Sequence, residues 1–168
     1  MKAIDPLEIS DNFIEIIGKE WMLVAAGDEN KSNMMTASWG GVGVLWGKPV
    51  VFAFIRPERY TRELIDARNA FTISFMGEQY KGVHKICGSL SGRDVDKVKE
   101  TGLSLAFTEN GNPYFKESRL TLECELLYVS KIEEQHFKNP ELFGRWYNEK
   151  AGNPHIVYIA EIVRAWEK

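Results

Sequence analysis

The sequence predicts a mainly β, α+β fold in which antiparallel strands close into a barrel with short helices at its periphery. Three observations carry this expectation. "LTLECELLYV" at 120–129 alternates with the two-residue period of a strand, placing Leu120, Leu122, Cys124, Leu126 and Tyr128 on one face. Other β-branched and aromatic runs, six or seven strands in all, are bounded by turns rich in Gly, Asn and Pro. The helical patterns between them are short, and no segment repeats at a fixed period.

In chain order, Ser10 reads as the cap of a short helix with Phe13, Ile16 and Ile17 on one face. "WMLVAA" at 21–26 is a strand, and "GDENKSN" turns it back onto an antiparallel partner, "NMMTASWGG" at 33–41. "GKP" at 47–49 breaks the chain before "VVFAFI" at 50–55, which suits a strand buried on both faces. Thr61 caps a helix containing Leu64, Ile65 and Arg68, and "AFTISF" at 70–75 sets Phe71, Ile73 and Phe75 against Thr72 and Ser74. "GEQYKGVHKICG" and "RDVDKVKETG" are short helices, the second with Gly102 as its C-terminal glycine. "HIVYIAEIVRAW" at 155–166 is the last strand.

Composition narrows the function. With 168 residues and no linker-like tract, the chain is expected to form one domain, 1–168. No apolar run is long enough to span a bilayer, and the N-terminus has no apolar signal core, so the expected setting is cytoplasmic. A net charge of −3 without a basic face argues against nucleic acid. Cys87 and Cys124 are expected to be free thiols, and the lone His84/Cys87 pair falls short of a metal site. "GVGVLWG" at 41–47 mis-spaces the dinucleotide fingerprint and precedes a strand, and there is no phosphate loop or nucleophile elbow.

The chemistry therefore rests on three other stretches. Period two puts Thr36, Ser38 and Gly40 on one face of their strand, a small hydrogen-bonding surface against which a flat heteroaromatic ligand could lie; a Gly-rich strand crossing at a barrel corner has the same pattern. Arg56, Arg59 and Thr61 fall where a strand ends and a helix starts, which favours an anion of phosphate size; solvated arginines beside a capped helix read the same way. Gly88, Ser91, Gly92 and Arg93 in "CGSLSGRDVDK" at 87–97 form a tight loop able to add donors, or simply a turn.

Taken in order, "NMMTASWGGVGVLWGKPVVFAFIRPERYT", "CGSLSGRDVDK" and "HIVYIAEIV" resemble the successive signatures of the flavin reductase-like proteins with the FMN-binding split-barrel fold, the flavoredoxin branch in particular. The resemblance spans nearly the whole chain. It implies a Greek-key split β-barrel, a homodimer, and FMN bound near the dimer interface. By position, Met35, Thr36, Ala37, Ser38 and Trp39 would line the isoalloxazine ring, while Arg56, Arg59, Tyr60 and Thr61 would approach the phosphate. The loop carrying Cys87, Gly88, Ser91 and Gly92 would close over the flavin. The family commonly has Gly before the Glu of its last signature, where this chain has Ala160 before Glu161.

The function so implied is an FMN oxidoreductase moving electrons from NAD(P)H to an acceptor, with the cofactor performing the redox chemistry. The alternatives are a flavoredoxin-type carrier exchanging electrons with a protein partner, and a dimeric barrel without cofactor. His155, at the head of the last signature, either orients nicotinamide or flavin or begins a strand at the surface. Trp39 and Trp46 belong either to the ligand site or to core and dimer interface.

Overall fold

The computed structural model describes residues 1–168. Ten strands and five α-helices follow one another: β1 (Lys2–Ile4), α1 (Phe13–Lys19), β2 (Met22–Gly27), β3 (Ser32–Ala37), β4 (Gly40–Leu45), β5 (Lys48–Ile55), α2 (Tyr60–Arg68) and β6 (Ala70–Phe75). Then come α3 (Lys81–Ser89), α4 (Lys97–Thr101), β7 (Leu105–Phe107), β8 (Pro113–Phe115), β9 (Leu120–Lys131), α5 (Pro140–Trp146) and β10 (Ile156–Glu167). The main sheet runs β3-β2-β6-β9-β10-β5-β4, with β1 added beside β10, and every pairing in it is antiparallel. Its two end strands, β3 and β4, are consecutive in sequence but not hydrogen-bonded to each other. The barrel is therefore split there rather than closed, with Ser38 and Trp39 crossing the gap.

That split corrects the reading of 33–41 as one strand. The chain leaves β2 at Ala37 and rejoins the sheet at its far end, where Gly40 opposes Ala53 of β5. A Cβ at Gly40 would lie 2.6 Å from the Phe52 carbonyl oxygen, so only glycine lets β4 begin so close to β5. Thr36, Ser38 and Gly40 consequently do not share one strand face. The next turn is Trp46–Gly47, both at positive φ, a two-residue hairpin that lets Lys48 and Pro49 join β5. Trp46 ends 60% exposed at this tip.

The barrel interior is one apolar cluster that includes Val24, Met35, Val51, Ile55, Phe71, Ile73, Leu122, Cys124 and Tyr158. β5 is buried on both faces only at Val50 and Val51; beyond them Ala53 and Ile55 are buried while Phe52 and Phe54 are only half-buried. β6 is buried at all six positions, because the hairpin β7–β8 covers its outer side and Thr72 Oγ1 donates to the Pro113 carbonyl at 2.6 Å. The same hairpin hides Glu123, whose carboxylate accepts from Asn112 Nδ2 at 2.8 Å and from Thr108. β9 turns Leu120, Leu122 and Cys124 into the core as expected, but Thr121 and Glu123 between them are buried too; beyond Cys124 the strand emerges, leaving Tyr128 48% exposed. A smaller cluster, Leu23, Ala25, Met34, Met76, Cys87, Leu103 and Phe115, joins β2 and β3 to α3.

Two helix starts also differ from expectation. α1 is capped by Asn12, which accepts from Glu15 N, and not by Ser10. α2 has Arg59 as its N-cap residue and no side-chain cap, while Thr61 lies inside the first turn, fully buried. α4 does end at Gly102 in the left-handed region. No helix is long and apolar enough to cross a membrane.

Candidate functional site

The three stretches singled out in the sequence converge at the open end of the split. The end of β3, the start of α2, the end of α3 and the approach to β10 surround two clefts that share Met35 and Arg59. The larger, about 340 Å³, is lined by Met35, Thr36, Ala37, Ser38, Trp39, Phe54, Arg56, Arg59, Gly88, Trp146 and His155. The smaller, about 80 Å³, lies at the start of α2 against the 89–92 loop, with Asn33, Tyr60, Thr61, Ser91, Gly92 and Lys97 in its wall. A third cleft of about 620 Å³ adjoins it through Asn33, Tyr60, Gly92 and Lys97. A cleft of about 580 Å³ beside Met1, Arg164 and Trp166 shares none of these residues.

The smaller cleft is built for an anion. At the start of α2 the Arg62 N–H donates to the Arg59 carbonyl at 3.0 Å, while the N–H groups of Tyr60 and Thr61 have neither a backbone acceptor nor a side-chain cap at this wall. The Thr61 hydroxyl accepts from Asn33 Nδ2 at 2.9 Å instead of capping. Gly92 approaches so closely that a Cβ there would fall 2.1 Å from Asn33 Oδ1. Arg59 extends behind the cleft, its guanidinium donating to the carbonyls of Gly88 at 2.7 Å and Thr36 at 3.4 Å, so it is not a solvated arginine. Burial lowers its pKa, yet an arginine stays charged at every ordinary pH.

Arg56 departs from it. It lines only the larger cleft, where it donates to the carbonyls of Asn153 at 2.7 Å and Trp146 at 3.4 Å and stacks over Tyr147. It thus fastens the segment around α5, which the sequence reading did not place as an element, to the end of β5. That segment brings Trp146 edge-on to Trp39, with ring centroids 4.9 Å apart. His155 packs against Trp39 at the same distance. It is 8% exposed, so it neither lies at the surface nor belongs to β10, which begins at Ile156. Burial, and then Arg56, pull its pKa down to about 4, leaving the ring neutral at pH 7 beside the Tyr147 hydroxyl, 3.1 Å from Nδ1.

Cys87 and Gly88 lie in the last turns of α3, not in a loop, and the loop begins at Leu90. The hydrophobic face of α3 carries Cys87 into the smaller core, where burial raises its thiol to about 11. Cys87 lines neither cleft; its carbonyl accepts from Lys97 Nζ at 2.9 Å. Thr36 is partly spent within the protein, its hydroxyl donating to the His84 carbonyl at 2.8 Å. The sequence reading missed Asn33, Lys97, Trp146 and Tyr147. Asn33 and Lys97 are the end residues of quoted stretches but carry no signal of their own, whereas nothing local ties Trp146 or Tyr147 to Trp39 and Arg56, about ninety or more residues upstream.

Comparison with known proteins gives the family and the fold. A family profile described as "Flavin reductase like domain" matches residues 16–168. The uncharacterized protein YddH of Escherichia coli K12 is 31% identical over 127 residues, covering 73% of this chain and 65% of that protein. This chain spans less than two thirds of the length of the curated relatives it matches. Among solved structures, flavoredoxin of Desulfovibrio vulgaris (Miyazaki F) superposes with a TM-score of 0.68 at 26% identity, over 89% of this chain and 70% of that one. An FMN-binding protein from Thermus thermophilus, solved with p-hydroxybenzaldehyde, shares the fold with a TM-score of 0.69 at 23% identity, over 100% of this chain and 82% of that one. With the profile running from α1 to the last residue, the chain belongs to the flavin reductase-like domain family.

Proposed function

We propose that this chain binds FMN and works as a flavin-dependent oxidoreductase that takes electrons from NAD(P)H and passes them to an acceptor. The observation that carries this reading is the junction at Arg59, where an uncapped helix start and a half-buried guanidinium meet a cleft floored by Met35–Trp39 and Gly88. The residues present fit the group: N–H donors and cations at the small end suit a phosphate, and aromatic and small side chains at the large end suit a flat ring. When bound, FMN supplies the hydride and electron chemistry.

The chain's own residues bind and orient. The first turn of α2 with Tyr60 and Thr61, together with Arg59, Ser91 and Gly92, holds the phosphate end. Met35, Thr36, Ala37, Ser38 and Trp39 flank the ring end with Gly88, whose missing side chain leaves room at the cleft wall. Cys87 contributes through its carbonyl, which holds Lys97. Arg56 secures the α5 segment, which keeps water from one side of the larger cleft. In the tautomer that accepts from the Tyr147 hydroxyl at Nδ1, neutral His155 carries its proton on Nε2 and is a hydrogen-bond donor in the larger cleft.

We read residues 1–168 as one working unit that pairs with a second copy in the cytoplasm. The exposed apolar residues Val44, Trp46, Tyr128 and Val129 on β4, its turn and β9 support an association surface. A second reading, an electron carrier without NAD(P)H turnover, is favoured by the Trp39–Trp146 contact, which narrows the space for a stacked nicotinamide. Anaerobic addition of NADH or NADPH to the flavin-loaded protein separates the two. Bleaching by either nucleotide supports the oxidoreductase; a protein that stays yellow with both but bleaches with dithionite supports the carrier; a chain that takes up no flavin overturns both.

A further inference from the structure

The smaller cleft holds two cations, Arg59 and Lys97, to which no carboxylate hydrogen-bonds, and the lysine is buried. Lys97, 4% exposed at the start of α4, spends two of its three N–H bonds on the carbonyls of Met34 and Cys87, each at 2.9 Å. Arg59, across the cleft, is likewise partnered only by carbonyls. Buried cations without a counter-ion are costly, and the cost disappears when an anion enters.

The surrounding groups leave that role open. The Cys87 thiol on α3 is neutral at ordinary pH because burial raises it to about 11. Asp96, next in chain, accepts from Val98 N and Lys99 N and pairs with the Lys99 ammonium at 3.4 Å. Glu58 at the rim is held by Asn153, and Arg93 is held by Glu63 beside Tyr60, whose other neighbour is Lys31. No carboxylate hydrogen-bonds to the Lys97 ammonium.

We infer that this cleft selects a doubly charged phosphate monoester and that binding it is coupled to uptake of a proton by Lys97. The inference rests on the FMN reading and adds to it a ligand preference and a pH dependence. In the free protein, burial pulls Lys97 down to about 8, with the Cys87 thiol opposing and Arg59 assisting. Above that pH the free lysine is neutral, whereas the phosphate holds the bound one charged. FMN binding therefore weakens by up to roughly tenfold per pH unit above about 8. Riboflavin has the same ring and no phosphate, so its binding is flat. FAD has two singly charged phosphates in place of the terminal monoester and binds more weakly than FMN.

Titration calorimetry near pH 8.5 in two buffers of different ionisation enthalpy counts the protons. Wild type should take up roughly 0.7 proton per FMN and none per riboflavin. Lys97→Arg, which keeps the charge permanently, should bind FMN with no uptake and a flattened pH profile, while Lys97→Met should lose both uptake and affinity. The wild-type count stands alone if a variant fails to fold. FMN bound without uptake, equal uptake with riboflavin, or undiminished uptake in Lys97→Arg overturns the coupling and leaves the FMN reading intact. FAD binding as tightly as FMN removes the monoester preference, and no FMN binding at any pH overturns both readings.

Discussion

Replacing Arg59 and Arg56 separately should produce different losses, although the two arginines are three residues apart. Arg59→Ala removes a half-buried guanidinium from the wall of the smaller cleft and leaves the Gly88 carbonyl, 2.7 Å from Nη1, without that donor. A charge-assisted hydrogen bond to a phosphate is worth about 1.5 to 3 kcal/mol, so the FMN dissociation constant should rise about ten- to a hundredfold. Riboflavin should bind this variant nearly as well as it binds wild type. The orphaned carbonyl should also cost about 1 to 3 kcal/mol of folding stability, because this side chain is packed rather than solvated. Arg56→Ala instead releases the carbonyls of Trp146 and Asn153 and loosens the α5 segment over the larger cleft. It should weaken FMN and riboflavin by the same factor. Fluorescence titration of both flavins into both apoproteins gives the FMN-to-riboflavin affinity ratio. If that ratio is unchanged in Arg59→Ala, or collapses in Arg56→Ala, the phosphate does not bind where the smaller cleft places it.

Other perturbations test other parts of the account. Burial raises the thiol of Cys87 to about 11 and lifts that of Cys124 well above its ordinary value, so neither should react with a thiol reagent at pH 7 in the folded protein, and the Cys87→Ser, Cys124→Ser protein should retain flavin reduction. Rapid labelling of either native thiol would contradict this. His84 and His155 are both held down to about 4, by burial first and then by Lys81 and Arg56 respectively. The unfolded chain therefore binds more protons than the folded one between pH 6.5 and 4. Stability should fall on acidification through that window, by at most about 2.7 kcal/mol per pH unit from the pair, and His84→Gln should flatten the fall as measured by urea unfolding. Trp46→Asp places a charge in the exposed apolar patch beside Tyr128, so light scattering should show the dimer proposed for wild type shifting toward monomer while the flavin stays bound. An unchanged dimer mass would move the interface elsewhere.

Much of the barrel was legible because strand period and turn chemistry are local. The β2–β3 hairpin and β9 as far as Cys124 formed as their patterns predict. What failed were features decided across the sheet. Nothing in "NMMTASWGG" says that β3 and β4 lie at opposite ends of one sheet, since the bend at Ser38–Trp39 depends on how Gly40 meets Phe52. Glu123 reads as an outward-facing polar residue until the β7–β8 hairpin covers it. At the candidate site, the sequence grouped Arg56 and Arg59 by proximity, whereas the turn into α2 sends them to different partners. Lys97 reads as one more charge in a polar run, and only the fold buries it.

A crystal structure of the protein with FMN tests the central claim most directly. The account predicts one FMN per chain, its phosphate within hydrogen-bond distance of Arg59 and the first-turn N–H groups of α2, and its ring along Met35–Trp39 beside Gly88. A phosphate bound away from α2 and the 89–92 loop, or a ring outside the cleft between Ala37 and His155, would contradict it.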